Sequence, residues 1–460
     1  MKTDEKMRVV VAGATGFIGG ALAESLGERF HLIGLTRSSR THIDNYAEVR
    51  KVDLFSKAAT TECLTGAEVA IYLVHSMMPS ARLVQASFED LDLLCAENFA
   101  SAAAANGIKH IVYVGGLQPA DGATSRHLES RVEVEQALGS HGVPVTTLRA
   151  GLIVGGRGSS FQILSRLINR LPVMVCPSWT NTLTTPVGLG SVVWALGHLL
   201  TSPPGTSRVF DLGISEPMTY RQLLATAATS MGASRLFIPV PLVSPALSRL
   251  WVSLVTGAPR ALVSPLISSL RHEMIARNDP EFRLEGEPQT NIKEVLDIAI
   301  QQASDTNEVP RAFRSPAKTA NHPRVLSVQR MTLPAGRDAE WAAQLYLRWL
   351  PGFMHGLLPI SVTTTEGKIL FRMGKKGPTL LSLKHKGAEG PAAYEITGGL
   401  LAHPNPNGRL EFRTALDGRT LLVAVHEFEP KLPWWFYRCT QAVLHRWVMY
   451  RFSKFLKKQA

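Results

Sequence analysis

Arg8-Val-Val-Val-Ala-Gly-Ala-Thr-Gly-Phe-Ile-Gly-Gly20 is the stretch that decides the fold. Val9 to Val11 form a short β-branched run with the character of a buried strand. Gly13, Gly16 and Gly19 follow at three-residue spacing, and Ala21, Leu22, Ala23, Ser25 and Leu26 continue as a helix. In a strand–turn–helix unit each glycine has a task. One permits the tight turn, one lets backbone approach a pyrophosphate, and one lets the helix pack close to the strand. The N–H groups at the helix start then face an anion, favoured by the helix dipole. A plain strand-to-helix turn is the alternative. Strand and helix context on the correct sides favours a dinucleotide site, with Gly13, Thr15, Gly16, Phe17, Ile18 and Gly19 as its contacts.

The spacing Gly-x-x-Gly-x-x-Gly within Ala12 to Gly19 resembles the short-chain dehydrogenase/reductase superfamily, most closely its extended and atypical branches. That resemblance implies a nicotinamide dinucleotide. Working outward, His31 to Thr36 reads as the second strand, and it ends in Thr36-Arg37-Ser-Ser-Arg40 with no acid. An acid at this place holds ribose hydroxyls, whereas arginine accommodates a 2′-phosphate. Arg37 and Arg40 therefore favour NADP(H) over NAD, unless both are surface arginines of a solvated loop. Glu48 to Leu54 looks like a third strand; an acid–aliphatic pair here lies against adenine in the resembled superfamily, and Asp53 and Leu54 match it. Read alone, Asp53 is an element-end cap. Val69 to Ser76 is a fourth buried strand whose end should reach the ligand crevice of an α/β sheet. Leu73, Val74 and His75 would line the cofactor there, with a structural histidine the equal alternative for His75.

Ser80 to Asn106 and Thr124 to His141 carry helical patterns, and His110 to Val114 and Val145 to Arg149 are further strands, the first ending in Gly115-Gly116. Strictly alternating strands and helices predict a Rossmann-type, doubly wound parallel sheet in an α/β domain. Tyr72-Leu-Val-His-Ser-Met77, Ala96-Glu-Asn-Phe-Ala100, His127-Leu-Glu-Ser-Arg131 and Leu171-Pro-Val-Met174, taken as a set, resemble one subgroup. It comprises bacterial atypical NAD(P)H-binding proteins related to NmrA-like regulators and to the accessory subunit of respiratory complex I. The resemblance covers roughly residues 7 to 300.

The reaction centre departs from the superfamily pattern. Carbonyl-reducing members use Tyr-x-x-x-Lys, in which four-residue spacing places both side chains on one helix face, together with a serine. On the aligned helix, Ser125 to Arg131, His127 falls at the tyrosine position and Arg131 at the lysine position, and Gly115-Gly116 stands where the serine would be. Arg131 offers a permanently charged fork of five donors for a ribose or phosphate. An unperturbed imidazole sits near working pH, so His127 is the candidate acid/base; a neighbouring Arg131 favours neutral imidazole, which suits a base better than a proton donor. The alternative reading makes both partly exposed helix residues without chemistry, in a protein that binds dinucleotide but does not turn over.

Further on, Ser159 is read as a helix cap, Arg208 to Gly213 as a strand, and Thr219 as the cap of the following helix. Leu236 to Leu270 is apolar, with five prolines that exclude one continuous helix. Short helices lining a greasy cleft, or plain core, are the two readings, and Trp251 packs on a ligand or on neighbours accordingly.

Length and charge divide the chain. The 460 residues, 45% hydrophobic and 19% charged, predict a globular chain of more than one domain. From Pro323 to Ala460 there are 20 Lys/Arg and 9 Asp/Glu, against 29 and 28 before it, so almost all of the net charge of +12 sits at the end. The four cysteines have neither metal nor disulfide spacing. No secretory signal and no apolar run of about 18 residues is read, so a cytoplasmic protein is expected. The expected domains are 1–305, a polar, proline-bearing linker 306–323, and 324–460.

In the last of these, Glu340 to Leu350 reads as helix and alternating strands follow at Ser361 to Thr365, Lys368 to Arg372, Ala393 to Thr397, Arg409 to Arg413 and Thr420 to Val425. Turn signals stand at Glu366-Gly367, Asn407-Gly408 and Asp417-Gly418, and Pro433 to Lys458 is a closing helix. Antiparallel strands capped by a long helix resemble the helix-grip (START-like, SRPBCC) fold, a smaller α+β domain, which implies an apolar ligand cavity. Arg438, Arg446, Arg451, Lys454, Lys457 and Lys458 interleave with aromatics on the closing helix. This is either a solvated basic face or a peripheral contact with an anionic inner membrane face. No nucleic-acid module is present in the sequence, so no nucleic-acid partner is expected. Three functions follow: an NADP(H)-dependent oxidoreductase or epimerase-like enzyme on a hydrophobic substrate, a redox sensor or assembly factor that binds dinucleotide without turnover, or a membrane-docked carrier of hydrophobic ligands.

Overall fold

The computed structural model describes residues 6–75, 83–119, 122, 125–214, 216–240, 245–288, 290–305, 324–356, 359–416 and 418–459. The linker expected at 306–323 lies outside them, as do Ser76, Met77, Ser80, Thr124 and Asp417. The strands of two main sheets are β1 (Arg8–Ala12), β2 (His31–Thr36), β3 (Glu48–Lys51), β4 (Val69–Tyr72), β5 (Leu83–Gln85), β6 (His110–Gly116), β7 (Val145–Ala150), β8 (Arg208–Leu212), β9 (Val325–Thr332), β10 (Ile360–Thr365), β11 (Lys368–Met373), β12 (Thr379–His385), β13 (Ala393–Gly398), β14 (Arg409–Ala415) and β15 (Thr420–Phe428). The chain divides into two compact units, Met1–Asp53, Thr61–Pro79 and Ala100–Ser315 in the first, Leu54–Thr60, Ser80–Phe99 and Pro316–Ala460 in the second.

The first unit holds a seven-stranded sheet in the order β3-β2-β1-β4-β6-β7-β8, every pair parallel. Val9, Val10 and Val11 are wholly buried in its centre, as expected of a strand covered on both faces. The chain runs outward from β1 to β3 and then returns to the other side of β1 as β4, so strand order reverses between β1 and β4. A doubly wound sheet binds ligands outside the carboxyl ends of its strands at such a reversal. Helix α1 (Phe17–Leu26) buries Leu22, Ala23 and Leu26 in the same core as Val9, Val11 and Ile71.

The apolar stretch from Leu236 folds as a short strand (Leu236–Pro239) and two helices, Pro245–Thr256 and Arg260–Ser269. Pro239 ends the strand, Pro245 starts the first helix and Pro259 caps the second, whereas Pro265 is carried inside the second helix and Pro241 lies outside the described residues. Trp251 packs against neighbouring side chains of this lobe. Two caps read from sequence come out differently. Thr219 caps the helix Tyr220–Ser230 in a reciprocal box with Gln222. Ser159 is instead the first residue of the helix Ser159–Arg170, and Gly158 caps it without a side-chain bond.

The second unit is a mixed eight-stranded sheet in the order β10-β11-β12-β13-β14-β15-β9-β5. All its pairs are antiparallel except β9 with β5. Leu83 to Gln85, expected to be helical, are a strand because they pair with Val325 to Ser327; the helix proper is Phe88–Ala105. The Glu366-Gly367 turn closes a two-residue hairpin, and both residues have positive φ. Asn407-Gly408 forms no such hairpin: it ends a longer loop in which the Asn407 amide donates to Asn405 Oδ1 at 2.9 Å. The closing helix is broken at Thr440 into Trp434–Cys439 and Gln441–Leu456.

The two faces of this sheet are unlike. Leu410, Phe412, Leu421 and Val423 join an apolar core with the helix Ala339–Met354 and the last helix, where Tyr346 meets Phe452 edge to face at 5.1 Å. On the opposite face Glu411 is fully buried, ion-paired with Arg409 at 3.0 Å and with Arg413 at 3.5 Å, and beside His426 at 3.5 Å. Burial alone raises its carboxyl, but Arg413, His426 and Arg409 together hold it well below the usual carboxylate range. The arginines continue outward. Arg409 donates to the carbonyl of Phe55, and Arg413 donates to Asn98 Oδ1 and to the carbonyl of Glu389. Glu389 in turn accepts from Ser56 Oγ at 2.7 Å, and Asn98 donates to the carbonyls of Leu54 and Phe55. This network ties residues 54–60 and 88–99 to the C-terminal strands.

Candidate functional site

The glycine turn is built as its spacing requires. Gly13 has φ +98°, a left-handed conformation that a side chain resists, and its carbonyl accepts from the Gly16 amide at 2.8 Å. A Cβ on Gly13 would lie 3.0 Å from Leu73 Cβ, and one on Gly19 would lie 2.5 Å from the Gly13 carbonyl oxygen. Gly16 caps α1 with no side-chain bond, so no cap side chain occupies the first amides of the helix. A cradle with no side chains, at a helix start, suits an anionic diphosphate. Phe17 turns its ring toward Gly155 and Gly158, where added Cβ atoms would stand 2.7 and 3.0 Å from it. Ile18 packs on the sheet core, and Thr15 is half-buried beside the turn.

Leu73 continues β4, with its amide donating to the Ala12 carbonyl at 2.9 Å, and Val74 and His75 follow it. The ends of β1 and β4 are therefore adjacent, and β6 lies next to β4. Beyond β2, Arg37 and Arg40 are exposed, while Thr36 Oγ1 accepts from the Ser38 amide and fixes the turn between them. Asp53 is half-buried two residues past β3 in the first unit; Leu54, also buried, groups with the second.

The helix Arg126–Gly139 begins at Ser125, whose hydroxyl accepts from the Leu128 amide and pairs with Ser269 Oγ at 2.9 Å. His127 and Arg131 therefore share one face, four residues apart. Arg131 is 7% exposed, and its guanidinium donates to His75 Nδ1 at 2.5 Å. A guanidinium can only donate, so Nδ1 of His75 accepts and its ring proton resides on Nε2. His127 stacks on His75 with ring centroids 5.1 Å apart and planes at 27°. The Tyr113 hydroxyl donates to the Arg131 carbonyl at 3.3 Å, which fastens the helix to β6. A Cβ on Gly116 would meet Arg131 Cγ at 3.5 Å, and one on Gly115 would crowd the Tyr113 ring at 3.0 Å.

His75, His127 and Arg131 thus come together at the carboxyl edge of the sheet. A direct partner of Arg131 is His75, a pairing across 56 residues that sequence reasoning did not find. The signal for it lay in the strand order: once β4 and β6 are neighbours, a histidine ending one strand and glycines ending the other leave room for an arginine from the following helix. Among the described residues no His/Cys/Asp/Glu group could hold a metal ion, and no helix is long and apolar enough to cross a membrane.

Residues 5–165 match the model of the NmrA-like family. A curated relative, the auxiliary protein GraX of Staphylococcus aureus, is 28% identical over 144 residues, which is 31% of this chain and 43% of that protein. Among solved structures, a nucleoside-diphosphate-sugar epimerase from Staphylococcus aureus is 15% identical with a TM-score of 0.51, covering 63% of this chain and 100% of its own. The triphenylmethane reductase of a Citrobacter species, in its complex with NADP(H), is 18% identical with a TM-score of 0.50, covering 65% and 99%. An NADPH-dependent quinone oxidoreductase from Escherichia coli, complexed with NADPH, is 20% identical with a TM-score of 0.50, covering 63% and 98%. At these identities the likeness is one of fold.

Proposed function

We propose that the first unit binds NADP(H) and acts as an atypical short-chain dehydrogenase-like oxidoreductase on a hydrophobic carbonyl or quinone. The observation that carries this reading is the cluster of His75, His127 and Arg131 at the sheet edge, beside the glycine cradle. The reduced nicotinamide supplies a hydride. The substrate oxygen that gains the electron pair takes a proton; His127 is the group assigned to give it, as the imidazolium, which then regains its proton from solvent. Arg131 is a positioning residue: it holds His75 in one tautomer, and His75 offers its ring face to His127. Arg37 and Arg40 stand where a 2′-phosphate would be met, which supports NADP(H) over NAD.

Two named structural neighbours work with NADP(H), one of them on quinones, and this supports the substrate class. The second unit is read as helix-grip-like. Its support is the order of one strand, one helix, six antiparallel strands and a closing helix, with the first strand pairing to the last.

The aligned helix carries His127 and Arg131 in place of Tyr-x-x-x-Lys, and Gly115-Gly116 stands at the serine place, which favours a second reading: a dinucleotide-binding sensor without turnover. NADPH oxidation with a panel of quinones and hydrophobic carbonyls separates the two. Turnover by the wild type that is lost in His127→Ala, with NADPH affinity kept, supports the enzyme. Tight NADPH binding with no turnover on any compound supports the sensor.

A further inference from the structure

The last two helices present an apolar stripe to solvent, set in a field of positive charge. Trp435 is 71% exposed, Tyr450 56%, Val443 46% and Trp447 40%, with Phe436 and Leu444 close behind. The stripe is not a packing failure. The same final helix already buries Ala442, Val448, Met449, Phe452 and Leu456 in the unit's core. Val443, Trp447, Tyr450 and Lys454 follow at helical spacing along the opposite side, and the Lys454 ammonium lies 4.6 Å from the Tyr450 ring centre.

Charge says what covers this face. From Lys431 to Ala460 there are seven Lys/Arg and no Asp/Glu. Arg438, Arg446, Arg451, Lys454, Lys457 and Lys458 are all exposed. A second copy of the chain would bring like charge against like charge. A nucleic acid would satisfy the cations but has no use for exposed Val443 and Leu444. An anionic bilayer meets both demands. Aromatics and aliphatics sink into the headgroup boundary, and lysines and arginines meet the lipid phosphates. Trp and Tyr, apolar bodies with one polar atom, are the side chains suited to that depth.

We propose that residues 434–458 form an interfacial docking surface for anionic phospholipid, with Trp435 and Trp447 inserted and the basic residues at headgroup level. This surface belongs to the second unit alone and does not rest on the dinucleotide reading.

The test is flotation of the full chain with vesicles of phosphatidylcholine, with and without about a third phosphatidylglycerol, alongside tryptophan emission. The expected result is binding only to the anionic vesicles, weakened by salt, with a blue-shifted emission. Trp435→Ala with Trp447→Ala should lower the partition coefficient at least about ten-fold. Lys457→Gln and Lys458→Gln should each lower it about five-fold. All four positions are exposed, and unchanged melting confirms that the variants are folded. No binding, equal binding to uncharged vesicles, unaltered binding of the double tryptophan variant, or displacement from anionic vesicles by unrelated DNA would each overturn the proposal.

Discussion

Two adjacent glycines of α1 should respond in opposite directions to the same added methyl group. In Gly19→Ala the new Cβ falls 2.5 Å from the Gly13 carbonyl oxygen and 2.9 Å from both the Cα and the carbonyl oxygen of Ala14. Each of these is backbone of the turn, so no flexible side chain can swing aside. Ordinary contact begins near 3.4 Å, so α1 must move about 0.9 Å from the turn. Forcing atoms into a packed site costs about 1–3 kcal/mol; the helix-propensity gain of about 0.8–1 kcal/mol offsets part of it, so the net loss is up to about 2 kcal/mol, or roughly 4 °C at about 2 °C per kcal/mol for a unit of this size. The same movement takes the helix amides off the anion. Losing one charge-assisted bond at about 1.5–3 kcal/mol weakens NADPH about ten-fold or more. In Gly20→Ala nothing lies within 4 Å of the new Cβ, and the helix gains about 0.8–1 kcal/mol in propensity. That variant should melt higher and bind NADPH as the wild type does. Calorimetry for binding and a thermal scan for stability decide the matter. A Gly19→Ala protein that melts and binds like Gly20→Ala refutes the close strand–helix packing on which the phosphate reading depends.

Arg37→Ala combined with Arg40→Ala should weaken NADPH at least about ten-fold while leaving NADH nearly unchanged; equal losses for both dinucleotides, measured by fluorescence titration, would remove the 2′-phosphate assignment. Glu411→Gln leaves Arg409, Arg413 and His426 buried around a neutral amide, and denaturant unfolding should show a loss of about 3–5 kcal/mol. The folded carboxyl of Glu411 sits below its unfolded value, so its contribution is fully present above that value, about 4.3, and drains away as pH falls through it and further. The wild type should therefore lose stability more steeply than Glu411→Gln in acid, and parallel acid limbs would contradict this. Thr219→Ala removes the bond from the Gln222 amide to Thr219 Oγ1 while keeping the one from the residue-219 amide to Gln222 Oε1, and should cost about 1 kcal/mol by the same measurement.

What was legible in the sequence follows from which interactions are local. The glycine turn, the cap at Thr219 and the alternation of strand and helix are settled within a few residues of chain, and each stands where its chemistry placed it. The pairing of His75 with Arg131 depends on β4 and β6 lying side by side, so only the strand order exposes it. Arg409-Leu-Glu-Phe-Arg413 shows the deeper limit. Alternating charged and apolar residues read as a strand with one wet face, and the period is right, since Leu410 and Phe412 do enter the apolar core. Yet Arg409 and Glu411 are as buried as the leucine between them. A strand's period states that its two faces differ; it is silent on whether the polar face meets water or other protein. Here the polar face meets the carbonyl of Phe55 and the side chain of Asn98, groups about 300 residues or more away in the chain, and it meets them with charges that balance one another. Such a face is costly to bury and useless unless completed. That makes Leu54–Thr60 and Ser80–Phe99 integral to the second unit, although nothing in their own composition separates them from the sheet and helices on either side.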